Sequence, residues 1–154
     1  MPVTIYLRKP CAQDETRFLK AMHKSKAFHS PFVIAPQNLE EFHHYLSKSH
    51  KKNHKSFIAF DQNENIIGVF NINEIIRGVF KSAYLGYYAS VEFAGKGLMS
   101  QALKLLLHEI FENLKLHRIE ANIQPTNTAS IYLVTKNGFL KEGFSPRYLN
   151  INGI

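Results

Sequence analysis

The sequence predicts an α+β (mixed α/β) domain: a mixed, partly antiparallel sheet with helices on both faces. Three observations carry that expectation. Strand-like runs between residues 56 and 91 are joined by short turns, the pattern of an antiparallel meander. Over residues 82 to 123 a strand, a long apolar helix and another strand follow one another, a β-α-β unit that should be parallel with a right-handed crossover. The 154 residues, 45% hydrophobic and 20% charged, suit a single domain spanning 1–154 around one core.

"VTIYLR", residues 3–8, is β-branched and aromatic and reads as a strand. Residues 13–26 read as a helix with Phe18, Leu19 and Met22 on one face, broken by "FHSPF" at 28–32. Asn38, with Glu41 three residues later, marks the start of a helix running to about Ser49, with Leu39, Phe42 and Leu46 inward. "SFIAF" (56–60), "IIGVFNINEII" (66–76) and "KSAYLGYYASV" (81–91) are the three strands of the meander. A helix over about 97–114 carries one narrow polar stripe, Gln101, Lys104, His108 and Glu112, and is expected to be mostly buried. "HRIEANI" (117–123) is a strand, 127–137 a helix ended by Gly138, and 139–151 a final strand.

Lysine and arginine number 19 against 12 acidic residues, a formal charge of +7. Such a balance favours anionic ligands, nucleic acid or ribosomes without choosing among them. The densest run, from Lys48 to Lys55, is either a solvated loop or a contact for RNA or the ribosome, and it lacks interleaved aromatics for base stacking. Cys11 is the only cysteine, so no internal disulfide can form, and the eight histidines show no zinc spacing. No metal is expected. No apolar run approaches the length of a membrane span, and a reducing, cytoplasmic setting is the simplest reading.

"SVEFAGKGLMSQAL", residues 90–103, places Gly95 and Gly97 around Lys96 just before a helix. Backbone N–H groups gathered at a helix start, at the positive end of its dipole, form a site for phosphate. A nucleotide P-loop is excluded, because Ser90 stands where its first glycine belongs and Gly97 where its Ser or Thr belongs. The dinucleotide fingerprint fits only loosely, through Ser100, and Glu120 lies too early in the next strand to hold a ribose.

The segments "AYLGYY", "GKGLMSQAL", "HRIEANIQPTNTAS", "NGF" and "KEGF" occur in order over roughly half the chain. They resemble the Gcn5-related N-acetyltransferases, above all the branch that acetylates the N-termini of ribosomal proteins. The resemblance implies acetyl-CoA as donor. Its pantetheine arm would pair with backbone from Tyr88 and Ala89 to Val91, and its pyrophosphate would rest on amides of Ala94, Gly95, Lys96, Gly97, Leu98 and Met99. Asn127 would touch the pantetheine arm. Ser130 would protonate the departing thiolate, because the tyrosine many members carry is replaced here by Val134; Tyr132 does not inherit that role. Glu92 stands where the family commonly has Gln or Arg, so its carboxylate is expected to point away from the phosphates.

The acceptor implied is the α-amine of a protein, with small amines left open. An α-amine titrates near ~7.8 and a lysine near ~10.4, so an N-terminal acceptor demands little of a base. Alternation along the fifth strand puts Arg118, Glu120, Asn122 and Gln124 on one face. Glu120 is the best carboxylate base, directly or through water, or else the partner of Arg118 or a lysine. Asn122 orients a water or the amine, or else satisfies backbone. An N–H near Tyr88 or Ala89 would steady the oxyanion, and Tyr148 would shape the acceptor pocket. Asn152-Gly153 is a hairpin signal followed only by Ile154. The family's next strand is therefore expected to be missing by truncation or supplied by a second protomer in a homodimer.

Overall fold

The computed structural model describes residues 3–30 and 32–140. The expected strand at 139–151, Tyr148 and the hairpin at 152–153 lie outside the described residues. Among the described residues, five strands form one sheet in the order β1-β2-β3-β4-β5: β1 (Tyr6–Arg8), β2 (Lys55–Phe60), β3 (Ile66–Ile76), β4 (Ser82–Ala89) and β5 (Arg118–Ala121). The first four pair antiparallel, as the short turns predict, and β5 runs parallel to β4.

Helices cover both faces. On one side α1 (Glu15–Lys24) and α3 (Leu39–Lys48) lay Phe18, Met22, Phe42 and Tyr45 against Ile58, Phe60, Val69 and Tyr88. On the other, α4 (Leu98–His108) and α5 (Thr128–Lys136) pack Leu98, Leu103, Leu106 and Val134 onto Phe57, Ile67, Ile72 and Leu85. Covered on both faces, β2 is buried from Ser56 to Phe60. Each buried Phe or Leu contributes about 1.5–3 kcal/mol relative to exposure.

Local chemistry sets the ends. Asn38 Oδ1 accepts the Glu41 N–H at 2.8 Å and starts α3, while the Glu41 carboxylate turns back to the N–H of Gln37, one residue earlier than in a standard capping box. Between β1 and α1, the buried Asp14 accepts two bonds from Arg8, at 2.8 and 3.0 Å, and the Cys11 N–H at 2.8 Å.

Several expectations are corrected. The helix drawn over 13–26 is a short 3-10 turn, Ala12–Asp14, then α1, which stops at Ser25, then a single turn, α2 (Lys26–His29). Ser25 ends α1 by adopting φ −95° and ψ 0°, with its hydroxyl donating to the Ala21 carbonyl. Leu39 is 52% exposed; Tyr45 takes the inward place beside Phe42. The long helix gives way at Glu109–Asn113 to a wider π turn, and Leu105 and Phe111 lie partly in solvent, so its apolar face is broader than its buried face. The basic run 48–55 joins α3 to β2, with Lys51 and Lys52 exposed and His54 buried.

Candidate active site

The site begins where two strands part. Residues 82–85 of β4 pair with 118–121 of β5, but β4 continues to Ala89 against β3 alone. Strand alternation decides which peptides face the opening. Ser90 donates to Ile67 of β3, whereas Lys81 accepts N–H groups from His117 and Arg118 on the β5 side. Even-numbered residues of β4 therefore bond to β3, and Tyr87 and Ala89 turn peptide groups to the gap. Of the two expected oxyanion donors, this leaves Ala89. The Tyr88 peptide faces Val69, and its side chain is buried among α1 and α3 residues, so its backbone is not open to a pantetheine arm.

Beyond β4 comes a 3-10 turn, Val91–Phe93, then the glycine loop into α4. Gly95 and Gly97 both have φ +76°, the left-handed region. A Cβ at either would meet nothing within 4 Å. Glycine is therefore required by backbone conformation rather than by space. The N–H groups from Gly95 to Ser100 have no acceptor among the described residues, while the last turns of the loop close normally, Gln101 donating to Gly97. These amides and the exposed Lys96 make the anion-seeking surface that the sequence predicts. Glu92 is turned to Lys24 at 2.8 Å, and that contact holds its carboxyl below the usual range.

Two of the expected loop contacts are already engaged. The Val91 N–H donates to Ser25 Oγ at 2.9 Å and its carbonyl receives the Ala94 N–H at 3.3 Å, so neither Val91 nor the Ala94 amide is available to a ligand.

Ser130 enters from the α4–α5 face. Asn127 caps α5 by accepting the Ser130 N–H at 3.3 Å. The Ser130 hydroxyl hydrogen-bonds the phenol of Tyr87. Burial raises the Tyr87 pKa above 10, so the phenol stays protonated at neutral pH. Glu120 lies elsewhere. It is held by Arg118 at 2.7 Å and sits opposite Tyr84, where β4 and β5 are still paired. That pairing makes it a surface ion pair outside the gap. Asn122, just past β5, is exposed, and so is Tyr132.

Sequence reasoning missed three residues beside the gap. Tyr87, on β4, meets the Ser130 hydroxyl. Ser25 reaches the Val91 amide from the end of α1. His29, in α2, places Nε2 2.6 Å from the Ala89 carbonyl and its ring edge-on to Tyr88 at 5.5 Å. The spacing Ser25-x-x-x-His29 on a helical turn was the available signal, but nothing local says which strand it meets. No described group of His, Cys, Asp or Glu is arranged to hold a metal, and no described helix is long and apolar enough to cross a membrane.

Residues 4–140 match the acetyltransferase (GNAT) domain family. The chain is 36% identical to the probable N-acetyltransferase YjcK of Bacillus subtilis over an alignment of 162 positions, covering 98% of this chain and 88% of that one. It is 38% identical over 110 residues to the [ribosomal protein uS5]-alanine N-acetyltransferase of Escherichia coli, covering 70% of this chain and 57% of that enzyme. Among solved structures, the ribosomal L7/L12 α-N-protein acetyltransferase RimL in complex with coenzyme A superposes with a TM-score of 0.87 at 26% identity, over 99% of this chain and 90% of that one. The parting strands, the glycine loop and these matches agree: the chain belongs to the GNAT family and is an N-acetyltransferase.

Proposed function

We propose that the protein transfers the acetyl group of acetyl-CoA to the N-terminal α-amine of a protein, ribosomal proteins being the class named for the uS5 and L7/L12 acetyltransferases among its relatives. The observation that carries the donor assignment is the row of unpartnered amides from Gly95 to Ser100 at the start of α4, beside the open edge of β4. The diphosphate rests on those amides with Lys96 nearby. The pantetheine arm lies along Tyr87 and Ala89, within reach of Asn127. Support for coenzyme A as the ligand comes from the RimL complex.

In the reaction, the neutral amine attacks the thioester carbonyl carbon. The carbonyl becomes an oxyanion steadied by the Ala89 N–H. Collapse breaks the C–S bond, and the thiolate takes a proton from Ser130 Oγ. Tyr87, bonded to that hydroxyl, resupplies the proton and regains one from solvent, to which the attacking nitrogen gives up its own. A buried phenol above its ordinary pKa is a proton source that does not ionise before the thiolate forms.

The test is thiol release from acetyl-CoA with peptides bearing free Ala or Ser N-termini, set against N-blocked peptides containing lysine and against polyamines. Preferential turnover of free α-amines is expected. Equal or better turnover of polyamines would overturn the acceptor assignment, and no turnover of any amine would overturn the donor assignment.

A further inference from the structure

The basic run 48–55 is only part of a larger basic surface. Lys55 enters β2 and His54 is buried, which leaves Lys51 and Lys52 exposed on the loop. The fold brings two distant segments to them. Arg77, in the β3–β4 hairpin, donates from Nη1 to the Lys52 carbonyl at 3.3 Å, and the Ile75 N–H bonds the Asn53 carbonyl at 2.9 Å. At the other foot of the hairpin, the Lys81 carbonyl accepts from His117 at 2.7 Å and from Arg118 at 3.3 Å. One end of the sheet thus gathers Lys51, Lys52, Arg77, Lys81 and Lys115, all exposed and none in an ion pair among the described residues. No carboxylate interrupts 48–55, 75–81 or 115–118. Glu74 and Glu120 flank these segments, and Glu120 is already paired to Arg118.

The hairpin tip supplies the aromatic that the run itself lacks. Val79 is 92% and Phe80 75% exposed. Cations alone suit any polyanion. A bare ring set among them suits one whose charges alternate with flat, stackable bases. The backbone agrees. Lys81 and Lys115 hold φ of +43° and +58°, in the left-handed region where Gly78, three residues before Lys81, sits at +80°. A lysine kept in that region is strained where a glycine would not be, and such strain is retained mainly where the side chain has work.

We propose that this end of the molecule is a docking surface for single-stranded RNA: phosphates lie along Lys51, Lys52, Arg77, Lys81 and Lys115, and an unpaired base stacks on Phe80. The choice of RNA over DNA rests on the acceptor class proposed above, because a ribosomal protein brings RNA with it. The surface itself does not depend on acetyl transfer. The eight residues of β4, about 25 Å of strand, separate it from the glycine loop, so RNA and CoA bind together.

The probe is a fluorescein-labelled, unstructured RNA of mixed sequence, titrated against the full chain by anisotropy with and without CoA. Phosphate contacts by all of these cations give a slope of log affinity against log salt of about −3.5, roughly a hundredfold loss between about 50 and 200 mM salt. Phe80→Ala is expected to weaken binding about 5- to 150-fold at an unchanged slope, and Phe80→Tyr to keep it. Lys81→Asn combined with Lys115→Asn, where asparagine accepts the positive φ, should make the slope shallower by about 1.4. Thermal unfolding and acetylation of a short peptide should match the parent in each variant. Binding indifferent to Phe80→Ala overturns the stacking surface, and displacement of RNA by CoA overturns its placement. Tighter binding to DNA of the same sequence, or to phosphatidylglycerol vesicles at the same salt, overturns the choice of RNA. RNA binding of the expected form in a protein that acetylates no peptide upholds the surface and removes only the acceptor reading. If a variant fails to fold, amide shifts in the parent decide: changes at 51–52, 77–81 and 115–117 on adding RNA support the surface, and changes confined elsewhere overturn it.

Discussion

Gly97→Ala tests the glycine loop quantitatively. Gly97 has φ +76°, and a Cβ there would meet no atom within 4 Å. The substitution therefore adds no clash, and its cost is the backbone strain of an L residue in the left-handed region, about 1–2 kcal/mol. Two outcomes follow from one number. If the loop keeps its shape, stability falls by that amount, a Tm drop of about 2–8 °C for a domain this size, and CoA affinity holds. If the loop relaxes to negative φ, the amides of Leu98 to Ser100 are re-aimed, and the strain appears as a CoA Kd about 5- to 30-fold weaker. Gly97→Asn is the control, because asparagine visits this region at little cost. The assays are thermal unfolding and titration calorimetry on the same preparations. An alanine variant equal to the parent in both Tm and Kd, or an asparagine variant as impaired as the alanine one, would refute the reasoning.

Ser130→Ala should lower kcat at least tenfold with little change in acetyl-CoA affinity, and Tyr87→Phe should reproduce most of that loss; a change in affinity alone in steady-state and binding measurements would remove both from proton transfer. Stability should depend on pH through two buried histidines. Desolvation, with Lys48 next, pulls His54 down to about 4, and desolvation lowers His29. Since the unfolded chain takes up these protons first, their contribution is complete above pH 6.5 and is lost as pH falls toward about 4. Urea unfolding should then show stability rising with pH by up to ~1.4 kcal/mol per unit per histidine across that window. His54→Gln should flatten the slope, and a flat profile in the parent would contradict the assignment.

What was legible in the sequence was local. Asn38, with its oxygen three residues from the amide it caps, reads directly as a helix start. The turns at 61–65 and 77–81 fix the meander. The glycine pair announces positive φ. What was not legible depends on partners far away in the chain. Tyr87 meets Ser130 across 43 residues, and His29 meets Ala89 across 60. Neither contact has a periodicity to betray it, because each side chain answers to a strand its own helix does not contain. Glu120 was the best base by alternation alone. It lost that standing once Arg118, two residues away on the same face, proved to hold it. The break at Ser25 was hidden for a similar reason: a serine that could sit inside a helix instead bonds an amide 66 residues later.

The central claim is that amides at the start of α4 hold the diphosphate of the donor. Hydrogen–deuterium exchange with and without CoA tests it most directly. Slower exchange concentrated at Gly95 to Ser100, with further protection at Tyr87 and Ala89, is the predicted result. Unchanged exchange at those amides in the presence of saturating CoA would contradict the account.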